Sequence, residues 1–302
     1  MKRYLGIDIG GTKIKYGILD ENGVESVSNE VNTPKDSFEE FKNIIIDIIY
    51  KFENLDGVGM SIPGCVNPIT GYISNGGALR YLDQINLKEE LSKYTNLELA
   101  FENDANCVGL AEKWIGNAKE CTDFICITVG TGIGGALYIN DKLNSGKNSF
   151  SGEFGYMIVD NIDGEGKIET MSQVASTAAL VREVAKSKGI DSEELSGFEL
   201  FKMMNNGDTE VISIYKKWMK KLAIGIYNLG FSIDPEKVLV GGGISSAPNF
   251  INDLKEALYQ LMKETGCDIP DIMSSIDKRW IIDTCKYFNN SGKIGAIYNL
   301  IS

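Results

Sequence analysis

The sequence predicts an α/β protein built from two similar lobes, and two observations carry that prediction. YLGIDIGGTKIKYGILD near the start and FICITVGTGIGGALYIN near the middle share one plan: a β-rich run, a glycine turn, a second β-rich run. Two such runs joined by a short glycine-containing turn read as a hairpin. Its recurrence in both halves of a 302-residue chain points to an internal duplication. After each hairpin, strand-like and helix-like segments alternate, and the length suits two lobes.

The elements follow in order. SFEEFKNIIIDIIYKFE places apolar residues at helical spacing, and DGVGMSIPG reads as a strand leaving through a Pro-Gly turn. ENDANCVGLAEKWIG reads as a strand end running into a helix that stops at Gly116. From about residue 170 to 232 the pattern is mostly helical, and KVLVGGGISSAPNFINDLKEALYQLM is strand, glycine turn, helix. SGKIGAIYNLIS closes the chain as a helix packed through small residues. No linker is rich in Pro or Ser. The expected lobes are therefore 1–116, rejoined by the last helix at about 291–302, and 117–290.

A formal charge of −12 and a pI near 4.7 argue against a nucleic-acid surface. The chain has no histidine, and its six cysteines (65, 107, 121, 126, 267 and 285) form no CxxC pair. MKRYLGIDIGG runs straight into a strand, which predicts no signal peptide. NIIIDIIY is too short to span a membrane and carries Asp47. These features read as a cytoplasmic protein with reduced thiols.

Three glycine loops could cradle phosphate. GIDIGGTK has Thr-Lys where a P-loop has Lys-Ser/Thr, and a strand follows it instead of a helix. GTGIGG, Gly130 to Gly135, satisfies GxGxxG, yet ALYIN after it reads as a strand where a dinucleotide fingerprint needs a helix. Glycines at a hairpin tip still let backbone N–H groups form an anion-binding nest. Thr12 and Thr131 can add hydroxyls and Lys13 a cation. Tight turns are the plainer reading of any one loop. The third loop, Gly241-Gly242-Gly243, is expected to open a helix, whose N-terminus favours negative charge. Three loops together favour a nucleotide. Asp8, just before the first tip, suits magnesium, often through water, or else caps neighbouring N–H groups.

Asn103 and Asp104 stand where a strand meets a helix, so either could cap it. The alternative is that Asp104 is a general base taking a proton from a substrate hydroxyl, with Asn103 holding neighbouring hydroxyls. Glu153, between two glycines, is hard to explain by packing. Glu169 could be an acidic residue at a helix start.

IDIGGTK, SIPG, ENDANC, GTGIGG, GEFG and VLVGGG, in this order over essentially the whole chain, resemble the ROK family of sugar kinases. The resemblance implies an actin-like, hexokinase-like ATPase fold: two α/β lobes with an interlobe cleft that usually closes on substrate. It implies transfer of the ATP γ-phosphate to a hexose hydroxyl, typically the 6-OH, and a homodimer. Asp104 matches the catalytic base. Gly64, Gly77, Asn103, Glu153 and Glu169 match the sugar side. Asp8, Gly10, Gly11, Thr12, Lys13, Gly130, Thr131 and Gly132 match the phosphate and magnesium side, and Gly242 and Gly243 the adenosine side.

Family members with zinc read GEFGH followed by a cysteine-rich loop. Here the histidine is Tyr156 and the loop is IVDNIDGEGKIE, without cysteine. The expectation is no zinc, with the loop held by packing and hydrogen bonds, and with Tyr156 either a core aromatic or a sugar contact. Loss of the histidine opens the anomeric end of the sugar. GGALRY (Gly76 to Tyr81), CVGLAEKW and GEFGYM look most like the β-glucoside kinases. Glucokinases and N-acetylmannosamine kinases are the alternatives within the family, since pocket changes worth ~1–3 kcal/mol separate such substrates. The family's sugar-sensing repressors carry a DNA-binding domain ahead of the first hairpin, which leaves a non-catalytic regulator the remote alternative.

Overall fold

The computed structural model describes residues 2–160, 167–267, 269–270, 274–287 and 290–302. The chain divides into two units. One comprises Met1–Glu120, Leu143–Ser151 and Lys286–Ser302; the other comprises Cys121–Lys142 and Gly152–Cys285.

The first unit opens with β1 (Tyr4–Ile9), β2 (Lys13–Leu19), β3 (Glu25–Asn32), α1 (Phe38–Tyr50) and β4 (Gly57–Ile62). There follow a small sheet of β5 (Cys65–Val66), β6 (Tyr72–Asn75) and β7 (Ile85–Asn86), then α2 (Leu87–Leu91), β8 (Leu99–Asn103) and α3 (Asp104–Trp114). The main sheet has the order β3-β2-β1-β4-β8. Its first three strands are antiparallel and its last three parallel. All of β4, and all of β1 except Asp8, is buried, as expected for parallel strands covered on both faces. On one face α1 places Phe41, Ile45, Ile48 and Ile49 among Leu5, Ile7, Val58 and Met60. Ser37 caps that helix, its hydroxyl accepting the Glu40 N–H at 3.2 Å.

The C-terminal helix, Ser291–Ile301, lies against β1, β4, β8 and α3. Glycines let the backbones meet. A Cβ on Gly59 would stand 2.3 Å from the Ala296 carbonyl oxygen, and one on Gly295 1.9 Å from that of Cys107. Lys293 of this helix, almost fully buried, donates to Glu25 and, at 2.8 Å, to Ser28 Oγ. The chain's return to the unit is received by buried Glu112 of α3, which accepts the Lys286 N–H at 2.7 Å.

The second unit holds β9 (Phe124–Val129), β10 (Ile133–Ile139), β12 (Ile158–Asp160) and β13 (Glu169–Thr170), and the division between the units falls within β11 (Lys142–Leu143). Helices follow: α4 (Met171–Ala175), α5 (Thr177–Lys188), α6 (Gly197–Asn205) and α7 (Thr209–Ile233); then come β14 (Lys237–Gly241), α8 (Phe250–Glu264) and β15 (Ile281–Thr284). Its sheet has the order β11-β10-β9-β14-β15, with β9/β10 antiparallel and β9/β14/β15 parallel. In both sheets the strands run third, second, first, fourth, fifth, so the hairpin repeat read in the sequence extends to whole-sheet topology. The core gathers Trp218, Met219, Leu222 and Ile226 of α7 against Ile125, Ile127, Val238 and Val240 of the sheet.

One local expectation is corrected. The third glycine loop leads into a single 3-10 turn, Gly243–Ser246, and the long helix α8 begins only at Phe250 after Asn249. Pro248 interposes a residue without an N–H, so the loop's own N–H groups, rather than a long helix, face whatever binds there. Among the described residues, no helix is long and apolar enough to cross a membrane.

Candidate active site

The end of β8 and the start of α3 resolve the capping question. Asn103 is the N-cap, its Oδ1 accepting the N–H groups of Ala105 (2.9 Å) and Asn106 (3.0 Å). Its Nδ2 meanwhile donates to the Gly64 carbonyl (2.8 Å) and to Asp104 Oδ1 (3.0 Å). Asp104 is the first helical residue and exposed; its Oδ1 also accepts the Ala105 N–H at 2.8 Å. One residue thus caps the helix and aims the neighbouring carboxylate.

Gly64 and Gly77 are in contact. Both have positive φ (85° and 58°), and a Cβ on Gly64 would meet Asn75 O at 2.1 Å and Gly77 N at 2.6 Å. Only glycine permits this close double turn beside Asn103. Behind Asp104, buried Glu102 accepts the Asn103 N–H (2.8 Å) and the Asn106 Nδ2–H (2.9 Å), and burial pushes its carboxyl above the usual range. Asn106 Oδ1 is buried without a donor among the described residues, a desolvation cost of about 1–3 kcal/mol.

Asp8 is half-buried on β1. Ser61 Oγ donates to its Oδ1 at 2.8 Å, and desolvation raises its carboxyl above the usual range despite that bond. The carboxylate lies against the first turn of the C-terminal helix, where the helix dipole favours negative charge: a Cβ on Gly292 would stand 2.2 Å from Asp8 Oδ1. Oδ2 accepts no hydrogen bond among the described residues. A desolvated carboxylate with an open oxygen suits a hydrated magnesium ion. Gly292→Ala is therefore expected to push the carboxylate off Ser61 while the helix keeps its place. Turnover should fall about 10-fold or more and recover in part at raised magnesium, read from initial rates across a magnesium titration.

At the first hairpin tip, Gly10 N–H donates to Lys13 O at 2.9 Å. Thr33 braces the tip, its Oγ1 donating to Gly10 O at 2.7 Å and its N–H to Thr12 O at 3.0 Å. Gly11 and Thr12 are exposed, and a Cβ on Gly11 would stand 3.4 Å from that of Ala78, next to Gly77. The Lys13 ammonium pairs with Glu30 at 3.1 Å, an exposed pair of low strength that an incoming phosphate can displace. The first unit thus brings Gly11 close to the Gly64–Gly77 turn, itself tied to Asn103 and Asp104.

In the second unit, Gly130 N–H donates to Gly132 O at 2.9 Å, closing a tip whose Thr131 and Gly132 are exposed. Gly242 (φ 94°) packs on the end of β9, where a Cβ would lie 2.2 Å from Val129 O. The second and third glycine loops consequently border one cavity of about 850 Å³, lined by Gly130, Thr131 and Gly243 at one side. Its other lining includes Phe198, Phe201, Ile244 and Pro248. Backbone donors beside apolar walls suit phosphates beside a planar base.

The GEFG corner abuts the same tip. A Cβ on Gly155 would strike Ser172 Oγ (2.2 Å) and Ile133 O (2.3 Å), and Ser172 Oγ accepts the Ile133 N–H at 2.9 Å. Glu153 is half-buried; its carboxylate accepts no hydrogen bond among the described residues, and desolvation pushes it above the usual range. Tyr156 is 73% exposed, which removes the core-aromatic reading. Glu169 begins β13 opposite Asp160. The loop expected to be held by packing and hydrogen bonds has residues 161–166 outside the described residues. Its base is a β-ladder with an ion pair, Lys221 reaching Asp160 at 2.8 Å and Glu169 at 3.9 Å. Among the described residues, no cluster of three or more His, Cys, Asp or Glu could hold a metal ion.

A model of the ROK family matches residues 4–299. The chain belongs to the ROK family. A β-glucoside kinase of Listeria monocytogenes is 35% identical, over 97% of this chain and 96% of its own. A ROK family protein of Streptococcus pneumoniae, solved in complex with sucrose, superposes with a TM-score of 0.87 at 32% identity, covering 99% of this chain and 98% of that one. A ROK family glucokinase of Streptomyces griseus, solved with glucose and AMPPNP, shares the fold with a TM-score of 0.80 at 24% identity over 97% of both chains.

Within this ROK chain, sequence reasoning missed Glu102, Ser61, Gly292, Thr33 and Ser172, which set the candidate groups in place, and the aromatic wall of Phe198 and Phe201. Gly292 had a signal, since SGKIG carries a glycine with no turn to explain it. The others are ordinary residues whose role comes from what the fold sets beside them.

Proposed function

We propose that the protein is an ATP-dependent sugar kinase that phosphorylates a hexose 6-OH, with the glucose unit of a β-glucoside as its substrate. The observation that carries the reading is the coupling of Asn103, Asp104 and Gly64: an exposed carboxylate, fixed by a neighbouring amide that also braces a double-glycine turn. That arrangement suits a base acting on one hydroxyl of a polyhydroxylated ring.

In this reading Asp104 accepts the proton of the reacting hydroxyl. The amide of Asn103, the backbone of Gly64 and Gly77, and the carboxylates of Glu153 and Glu169 hold the remaining hydroxyls. ATP takes the cavity between the second and third glycine loops, its phosphates on Gly130, Thr131 and Gly132 and its adenosine at Gly242 and Gly243. The first tip, with Gly10, Gly11, Thr12 and Lys13, supplies further donors and a cation for the transferred group. Asp8 would hold magnesium through water, and the ion when bound neutralises charge on the phosphate oxygens. Residues 1–116 with 291–302 would form the smaller lobe and 117–290 the larger, in a zinc-free cytoplasmic homodimer.

Tyr156, where zinc-bearing relatives have histidine, supports the β-glucoside assignment: an exposed ring near Glu153 leaves the anomeric end open and offers a face to an aglycone. ADP release with Mg·ATP is measured against cellobiose, gentiobiose, β-methyl glucoside, glucose and N-acetylmannosamine. A higher kcat/KM for the β-glucosides is expected. Preference for glucose or N-acetylmannosamine would overturn the substrate and leave the kinase; no ADP release with any sugar would overturn the kinase.

A further inference from the structure

Asp160 and Glu169 face each other across the β12–β13 ladder, the last residue of one strand opposite the first of the other. Like charges in directly opposed positions repel. One cation meets both: Lys221, from the middle of α7, lies 2.8 Å from Asp160 Oδ2 and 3.9 Å from Glu169 Oε2. The two distances describe different interactions. The first is a close ion pair. The second is beyond hydrogen-bond reach, so Glu169 feels the charge without spending a lone pair on it. Among the described residues the Glu169 carboxylate accepts no hydrogen bond, and it borders a cavity of about 410 Å³ that Lys221, Lys217, Arg182 and Gln173 also line. Immediately after it, Thr170 and Gln173 form a capping box that fixes the backbone at the start of α4.

We propose that Lys221 is a positioning residue for Glu169: anchored by Asp160, its ammonium orients the Glu169 carboxylate, with its lone pairs left for substrate hydroxyls. The inference rests on the reading of Glu169 as a sugar contact. Lys221 does not line the cavity bordered by the second and third glycine loops and would act through Glu169, so its effect falls on acceptor binding and not on the chemical step.

The test is steady-state kinetics with cellobiose and glucose as acceptors, giving KM for sugar, KM for ATP and kcat, alongside thermal unfolding. Lys221→Met should raise the sugar KM about 3- to 10-fold, in keeping with a half-exposed ion pair. Its kcat and ATP KM should stay within about two-fold of wild type, on the same principle that the change touches binding alone. Lys221→Arg should restore the sugar KM. Asp160→Asn added to Lys221→Met should recover part of the loss, because the repulsion on Glu169 goes with the second charge; a purely structural clip would show no such recovery. Glu169→Gln is measured in parallel. If it raises the sugar KM while Lys221→Met does not, the positioning role is overturned and the sugar role of Glu169 stands. If Glu169→Gln leaves the sugar KM unchanged, the sugar role falls and the positioning role with it.

Discussion

Asp104→Asn should lower kcat by about 10²–10⁴-fold, the usual share of a general base, with little change in the affinity for sugar. The substitution keeps side-chain size and removes only the basic oxygen. The fold has little reason to respond. Asn103, not Asp104, caps α3, and its bonds to Ala105, Asn106 and Gly64 do not depend on the neighbouring charge. Losing a carboxylate from the first turn of a helix costs about 0.3–1 kcal/mol, small beside the stability of a domain. Thermal unfolding of the variant should therefore nearly match wild type, so a lost rate reports on chemistry. Initial rates of ADP release, with sugar affinity from calorimetry, separate the two quantities. Turnover near wild type would remove Asp104 from the mechanism.

The two hairpins were legible because their signals are local. Alternating β-rich runs and a glycine tip need no knowledge of what packs on them, and the Gly10 and Gly130 turns form from neighbouring residues. ENDANC was legible as a strand-to-helix junction for the same reason. It was not legible as a division of labour, because capping by Asn103 and aiming of Asp104 are settled by a third partner, the Gly64 carbonyl, 39 residues away. Tyr156 stayed open between core aromatic and sugar contact because a 3-10 turn sets no hydrophobic period; burial there is decided by where the GEFG corner docks. The third glycine loop misled for a related reason. The apolar spacing of FINDLKEALYQLM announces a helix, but the start of α8 depends on Pro248 and on the left-handed Asn249. The cavity wall was invisible because Phe198 and Phe201 read as the apolar face of a short helix.

The groove that receives the C-terminal helix yields the second large effect. Gly295→Ala should destabilise the first unit by about 3 kcal/mol or more, the upper range for overpacking. Two terms compete. Alanine is the better helix former, worth about 1 kcal/mol over glycine in a helix interior. Against it, the new Cβ would lie 1.9 Å from the Cys107 carbonyl oxygen and 2.5 Å from its carbon, both backbone atoms of α3. A side chain could rotate away; a helix backbone can yield only by moving the whole helix. That movement would also lift Ala296 from Gly59 and Lys293 from Glu25 and Ser28, so the clash outweighs the propensity gain. At roughly 2–4 °C per kcal/mol, the midpoint should fall by about 10 °C, measured by circular dichroism. Gly197→Ala is the control: this glycine begins α6 with nothing within 4 Å of its Cβ position, and it should keep or slightly raise the midpoint. A midpoint for Gly295→Ala equal to that of the control would mean that the two helices slide apart freely, and the close backbone contact would then not hold Asp8 against the first turn of the C-terminal helix.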